Sequence, residues 1–282
     1  MKRTMIILTL LLGFCPRAFS QQDSLLVVFW NVENFFSYHS ESKPQYWTKG
    51  RFQAKCDAIA KTLLRIADRY GRLPDAVGFA EVENAFVLRR LTRETALRKL
   101  DYRIVHYDSP DHRGIDCALL CRESTLPVRA SAPKHLPDSA GGVMATRDIL
   151  LAEFDRLAIL VNHHPSQLGG KAERREAAQA QLRALTDSLH AAGQPRTLAV
   201  GDFNEDLWGS GAGTIKYNGR WEKIDGGFAE GFPRVREEVF ADPLLLEEDK
   251  AFGGTKPRRT FVGPRYTGGV SDHLPVVFIV YY

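Results

Sequence analysis

The sequence predicts an α/β protein in which two sheets pack face to face and are flanked by helices. Apolar strand-like runs alternate with amphipathic stretches toward both ends, and five strand-like runs follow one another in the middle. No repeat, low-complexity tract or linker divides the chain, so one large domain over 21–282 is the economical reading.

The first twenty residues stand apart. Lys2 and Arg3 precede an apolar stretch from Met5 to Phe14, and Ala18 and Ser20 are spaced like a signal-peptidase site. The stretch is too short to span a bilayer and predicts a cleaved export signal, 1–20. Cys15 suggests a lipoprotein, but Phe14 is bulky where a lipobox takes a small residue. The expectation is an exported protein of the periplasm or the medium, with no stable membrane insertion and no obligate protein partner evident.

Within the rest, "LLVVFWN" (25–31) predicts a strand. Phe52, Cys56, Ile59, Leu63, Ile66 and Tyr70 recur every third or fourth position, which predicts a helix over 51–70 closed by Gly71. "DAVGFAE" (75–81) reads as a buried strand and 84–99 as a second helix. The runs "YRIVHY", "DCALLCR", "LPVRASA", "DILLAEF" and "LAILVNHH" predict five strands. A third helix follows at about 171–192, with Ala178, Leu182, Leu185 and Leu189 on one face. "RTLAVGD" is a strand, 205–262 reads as irregular and rich in Gly and Pro, and "LPVVFIVYY" is the final strand.

Composition excludes some functions. The net charge of +4 falls to +1 without Lys2, Arg3 and Arg17, so overall charge gives no warrant for a strongly nucleic-acid-binding surface. Cys56, Cys117 and Cys121 remain, an odd number, and no CxxC motif occurs. Cys117 and Cys121 lie about 13 Å apart if extended, too far for a bridge. A pairing of Cys56 with either stays open, and the fold is not expected to rely on disulfides.

Chemistry gathers where the strands stop. The first ends in Asn31, with Glu33 two residues on; the second ends in Glu81; "LAILVNHHPS" ends in Asn162, His163 and His164. "TLAVGDFN" presents Asp202 and Asn204, which strand alternation sends to one face, and "SDH" places Asp272 and His273 before the last strand. Singly, each has a dull explanation as a turn or cap residue. Together they are an inventory for phosphoester hydrolysis: hard oxygen ligands for Mg²⁺, Mn²⁺ or Ca²⁺, a histidine to stabilise charge and a carboxylate to activate water. No HExxH and no Cys/His quartet points to structural zinc.

In their order, "FWNVEN", "AEVEN", "VNHHPS", "GDFN" and "SDH" resemble the endonuclease/exonuclease/phosphatase superfamily, the fold of deoxyribonuclease I, and "RGIDCALLCR" resembles its secreted bacterial members. The resemblance implies a four-layer α/β/β/α sandwich with two mostly antiparallel sheets. It implies a catalytic set of Asn31, His163, Asp202, Asn204, Asp225 and His273, and metal ligands Glu81, Asp272 and Glu33. Asp202 would activate water, Asn204 steady the phosphate, and Asp225 orient His273; Gly226 and Gly227 depart from the apolar residues expected beside Asp225.

The expected activity is a Mg²⁺-dependent phosphodiesterase of nuclease type, with Mn²⁺ or Ca²⁺ as alternatives. Two other readings stay open: a phosphodiesterase or phosphatase on lipid headgroups or small phosphoesters, as in sphingomyelinase-like members, and a non-catalytic binding module. Lys256, Arg258, Arg259 and Arg265, interleaved with Phe261 and Tyr266 just before "SDH", suit nucleic acid or form a solvated loop.

Overall fold

β-branched and aromatic residues dominate the first strand, β1 (Ser24–Phe35), which is buried along almost its whole length. The computed structural model describes residues 24–39, 47–167, 172–205 and 212–282. The expected export signal, 1–20, lies outside them.

Helix α1 (Lys49–Tyr70) starts where Thr48 accepts the Arg51 amide and stops at Gly71, whose φ of 69° is the left-handed C-cap expected from the sequence. Strand β2 (Ala76–Val82) leads into α2 (Ala85–Glu94), capped by the Asn84 side chain. The second helix is shorter than its sequence suggests. Thr95 turns its backbone extended and caps a 3-10 turn at Ala96–Lys99.

Four of the five middle runs form strands at or within a residue of their expected place: β3 (Tyr102–His106), β4 (Asp116–Arg122), β6 (Ile149–Glu153) and β7 (Ala158–His163). The other, β5, shifts to Ala130–Lys134. Helix α3 (Ala172–Ala191) and strand β8 (Thr197–Asp202) follow.

The described residues 212–262, which the sequence leaves as irregular, are more ordered than their composition suggests. They hold β9 (Ile215–Tyr217), β10 (Arg220–Glu222), β11 (Asp225–Glu230), β12 (Arg234–Val239), β13 (Leu246–Glu248), β14 (Thr255–Pro257) and β15 (Phe261–Val262). Then come β16 (Arg265–Tyr266) and β17 (Val276–Tyr281). Strands β11 and β12 escape notice because each is an edge strand with an exposed, charged or glycine-containing face, so hydrophobic alternation is weak. Gly227 has a steric reason: a Cβ there would lie 2.7 Å from the Phe278 ring and 2.8 Å from the Ala199 carbonyl.

Two large sheets result, ordered β12-β17-β1-β2-β4-β3 and β11-β8-β7-β6-β5. Both are mostly antiparallel, with β1–β2 the parallel pair in one and β7–β8 in the other. Val27, Phe29, Leu119 and Phe278 of the first meet Leu150, Ile159, Val161 and Val200 of the second in the inter-sheet core. Phe52, Ile59, Leu63, Val87 and Leu91 pack α1 and α2 on the outer face of the six-stranded sheet. Ala178, Leu182 and Leu189 pack α3 on the outer face of the other. The four-layer α/β/β/α sandwich is therefore present. Cys56, Cys117 and Cys121 are buried and free. Among the described residues no helix is long and apolar enough to cross a membrane.

Candidate active site

Parallel pairing brings strand ends with the same polarity to one edge. β7 and β8 run in register so that His163 lies beside Asp202, and Asn162 beside Gly201. A Cβ on Gly201 would come within 2.6 Å of the Asn162 Cβ and carbonyl, so glycine lets the two strands close up immediately before Asp202. β11 pairs antiparallel with β8 and sets Asp225 opposite Asp202.

On the other sheet the β1–β2 ladder breaks: three β1 residues, Val32–Asn34, lie between the pairs Asn31–Ala80 and Phe35–Val82, against Glu81 alone on β2. This bulge re-aims Glu81 across the strand ends. Its carboxylate accepts the Asn34 amide at 2.8 Å. Glu33, Asn34, Glu81 and Asn204 all have positive φ, from 43° to 63°. Among the described residues, four of the five non-glycine residues in this region of backbone space thus belong to one site.

Asp202 is the centre. Its Oδ2 accepts Asn31 Nδ2 at 3.0 Å and lies 3.7 Å from His163 Nε2 and 3.9 Å from His273 Nε2. Its Oδ1 accepts the Asn204 amide at 3.0 Å. Burial, followed by the Asp225 charge, pushes its carboxyl up to about 7, against the opposing pull of His273, Asn31 and Asn204. Asp225 Oδ2 meets His273 Nδ1 at 2.8 Å. Burial opposes charge on the His273 ring, but Asp225, Asp202 and Asp272 together outweigh it and raise its pKa well above the usual histidine value. The loop carrying His273 is tied down: Trp30 Nε1 donates to its carbonyl at 2.9 Å, and its amide donates to Ser271 Oγ at 3.0 Å.

His163 and His164 behave oppositely to His273. Burial holds His163 well below its usual value, with Arg147, Arg113, His273 and His164 adding repulsion. Burial and Arg147 push His164 down to about 3, and its ring packs edge-on against Phe203. An unfolded chain binds a proton at His164 near pH 6.5 while the native state does not. Stability therefore rises with pH from about 3 to 6.5 and is lost on acidification through that window. From pH 7 to pH 5, His164 alone should cost roughly 2 kcal/mol. His164→Gln should flatten this limb in urea titrations at the two pH values; an unchanged limb would contradict it.

Glu33, Glu81 and Asp272 form the acidic wall. Arg259 bridges two of them, at 2.5 Å to Glu33 and 3.2 Å to Asp272, and Arg113 lies 3.2 Å from Glu81. Buried Lys55 donates to the Glu33 carbonyl at 2.5 Å. Burial raises the Glu33 carboxyl, and Asp272 adds to it. The residues present fit a divalent cation: the donors are all carboxylate oxygen, and Glu33 Oε2 is buried with no hydrogen-bond partner. A second donor set, Asp202, Asp225 and His273, has ligand atoms within 4.8 Å of one another and could also hold a metal ion.

All nine residues singled out in the sequence thus converge, eight of them on one cleft of about 540 Å³ with Asp225 directly behind His273. Sequence reasoning missed the cations lining it: Arg113, Arg147 and Arg174. Arg147 is buried and pairs with Asp111 at 3.1 Å. Arg147 and Arg174 stand in no motif and only the fold reveals them, whereas Arg113 opens the "RGIDCALLCR" run, whose position beside the site could have pointed to it. Asn204 Nδ2 donates to the His164 carbonyl at 2.9 Å, which leaves one amide hydrogen for a ligand.

The segment 255–269 is mostly exposed, with Pro257, Thr260 and Gly269 buried. Lys256 lies 3.7 Å from Glu247, Arg258 donates to the Thr267 carbonyl, and Phe261 packs on Trp47 and Tyr266. Arg259 alone of its cations lines the cleft.

A family model described as the Endonuclease/Exonuclease/phosphatase family matches residues 26–212 and 205–281. Among solved structures, a mannosyl-6-phosphatase from Bacteroides thetaiotaomicron superposes with a TM-score of 0.61 at 15% identity, covering 92% of this chain and 100% of that one. TDP2 from Caenorhabditis elegans gives 0.59 at 15% identity, over 92% of this chain and 74% of that one. D. rerio TDP2 complexed with a single-strand DNA product gives 0.55 at 17%, over 92% and 99%. At such identities the likeness is one of fold. No curated protein sequence matches the chain.

Proposed function

Since the chain belongs to the endonuclease/exonuclease/phosphatase family, we propose that it is an exported, divalent-metal-dependent phosphodiesterase of nuclease type that uses in-line attack by water. The observation that carries this is a buried Asp202 encircled by Asn31, His163, Asn204 and a His273–Asp225 pair.

Each residue has a task that follows from its surroundings. Asp202 receives a proton from water, and a pKa near the working pH suits a general base. Asn31 fixes the carboxylate through its amide, leaving the other lone pairs for that water. His273, kept charged by Asp225, directs its Nε2–H at the negative charge that grows on the phosphate. His163 stays neutral and adds a hydrogen bond without opposing the positive charge beside it. Glu81, with Asp272 and Glu33, would hold the cation. When bound, a divalent ion withdraws charge from a phosphoryl oxygen. Arg113, Arg147 and Arg174 line the walls where a phosphoester enters.

A second reading, a phosphatase or phosphodiesterase acting on small phosphoesters or lipid headgroups, is favoured by the cleft's modest volume and by the fold likeness to a bacterial sugar phosphatase. Purified protein lacking residues 1–20 should be assayed with Mg²⁺, Mn²⁺ or Ca²⁺, with and without chelator. The substrates are plasmid and single-stranded DNA, sphingomyelin, a sugar 6-phosphate and bis(p-nitrophenyl) phosphate. Chelator-sensitive cleavage of DNA supports the first reading. Cleavage confined to the monoester or the lipid moves the assignment to the second. Inactivity on all, with no metal bound, would leave a binding module.

A further inference from the structure

The cleft handles one phosphate, and the question is what holds the rest of the substrate. Helix α2 begins three residues after Glu81, at the cap Asn84, and runs away from the mouth. Arg89 and Arg93 lie on its exposed side, one turn and about 6 Å apart. Arg98 from the 3-10 turn and Arg103 from β3 line the same groove, of about 560 Å³. Among the described residues Arg89, Arg93 and Arg98 make no ion pair. Glu94, the one acid on α2, is occupied by Arg90. Arg103 meets Glu123 at 3.3 Å with both side chains largely exposed, a pairing worth little.

The groove does not stop at the helix. An adjoining hollow of about 450 Å³ shares Arg89 with it and extends to Phe86 and Tyr107. From Tyr107 the loop to β4 leads directly to Asp111 and Arg113 in the active cleft. Arg103, Arg98, Arg93 and Arg89 thus line one groove, which opens at its Arg89 end into the hollow of Tyr107, where Asp108 is the one acid.

We propose that this groove is a track for single-stranded nucleic acid, which extends the substrate beyond the phosphate at Asp202. The inference rests on the phosphoester-hydrolase reading of that site. Unpaired arginines spaced along a channel match successive phosphates, and the partly exposed ring of Tyr107 offers a face to an unstacked base. A singly phosphorylated sugar or a phosphocholine headgroup has no second phosphate to place there. The near-neutral total charge is no obstacle, because binding depends on the local set of cations.

The test is fluorescence anisotropy of a labelled twenty-nucleotide oligo-dT on the whole protein, with EDTA present to stop hydrolysis. Arg89→Ala/Arg93→Ala should weaken binding by about tenfold or more at low salt. It should reduce the slope of log K against log salt by about 1.4, as expected for two lost single-strand phosphate contacts. Tyr107→Ala should weaken binding without changing that slope. Hydrolysis of bis(p-nitrophenyl) phosphate should stay at the wild-type level in both. Arg98→Ala alone provides a milder variant should the double one melt early, and is expected to reduce the slope by about 0.7. Wild-type affinity and slope in the arginine variants would overturn the proposal, as would equal affinity for a heparin fragment of the same charge. Failure of the hydrolase reading shows separately, as wild-type inactivity on every phosphoester.

Discussion

Asp202→Asn should lower phosphoester hydrolysis by about 10³-fold, within the range expected for losing a positioned general base. The substitution keeps the shape of the side chain and one acceptor for Asn31, so the protein should fold. It removes the group that accepts the water's proton. In the wild type the rate should climb with pH through neutrality as the Asp202 carboxyl, held near 7 by burial and Asp225, loses its proton. In the variant that climb should vanish along with most of the rate. Steady-state assays from pH 5 to 9 read both effects. Retention of more than about a tenth of the activity would remove Asp202 from the chemistry. Mn²⁺ affinity adds a second reading: if it collapses in Asp202→Asn, the ion belongs to the Asp202, Asp225 and His273 set and not to the acidic wall.

Glu81→Gln should be as damaging, by about 10³-fold or roughly 4 kcal/mol of transition-state stabilisation, for a different reason. The bulge in β1 and the positive φ at residue 81 aim this carboxylate across the strand ends, where Arg113 and the Asn34 amide already hold it. An amide keeps the hydrogen bond to Asn34 but has no charge to offer a cation. The expected signature is a displaced metal requirement: the variant should need at least about 100-fold more Mn²⁺ for half-maximal activity, and calorimetry should show correspondingly weak binding. Unaltered Mn²⁺ affinity would contradict the role assigned to Glu81. The pH–rate climb, by contrast, should survive in this variant, because Asp202 is untouched.

Much of the architecture was legible because its signals are local. The stripe from Phe52 to Tyr70 and the apolar runs of β1, β2, β7, β8 and β17 each sit wholly inside a core, so periodicity reports them faithfully. The edges were hidden. "RVREEV" forms β12 through backbone pairing to β17 with no residue fully buried, and no hydrophobic pattern marks such a strand. The candidate site was readable for a related reason: Asn31, Glu81, His163, Asp202 and His273 each end or flank a buried strand, and a polar group there stands out. Arg113, Arg147 and Arg174 come from loops and a helix surface, where arginine is ordinary. The basic and aromatic stretch 255–269 reads in the sequence as either a nucleic-acid contact or a solvated loop; it is mostly exposed, Phe261 packs on Tyr266, and Arg259 alone of its cations faces the cleft. The comparable groove on α2 is assembled from residues 86 to 107, whose spacing in sequence hides their proximity.

The four left-handed residues around the cleft carry a consequence for anyone wishing to toughen this protein. Glu33, Asn34, Glu81 and Asn204 are held in backbone shapes that a side chain resists, at a cost on the order of 1 kcal/mol or more apiece. Glycine at any of them would relieve that tension, so a screen that rewards heat tolerance alone should drift toward glycine at these positions. The sturdiest survivors of such a screen would be those that had given up their chemistry.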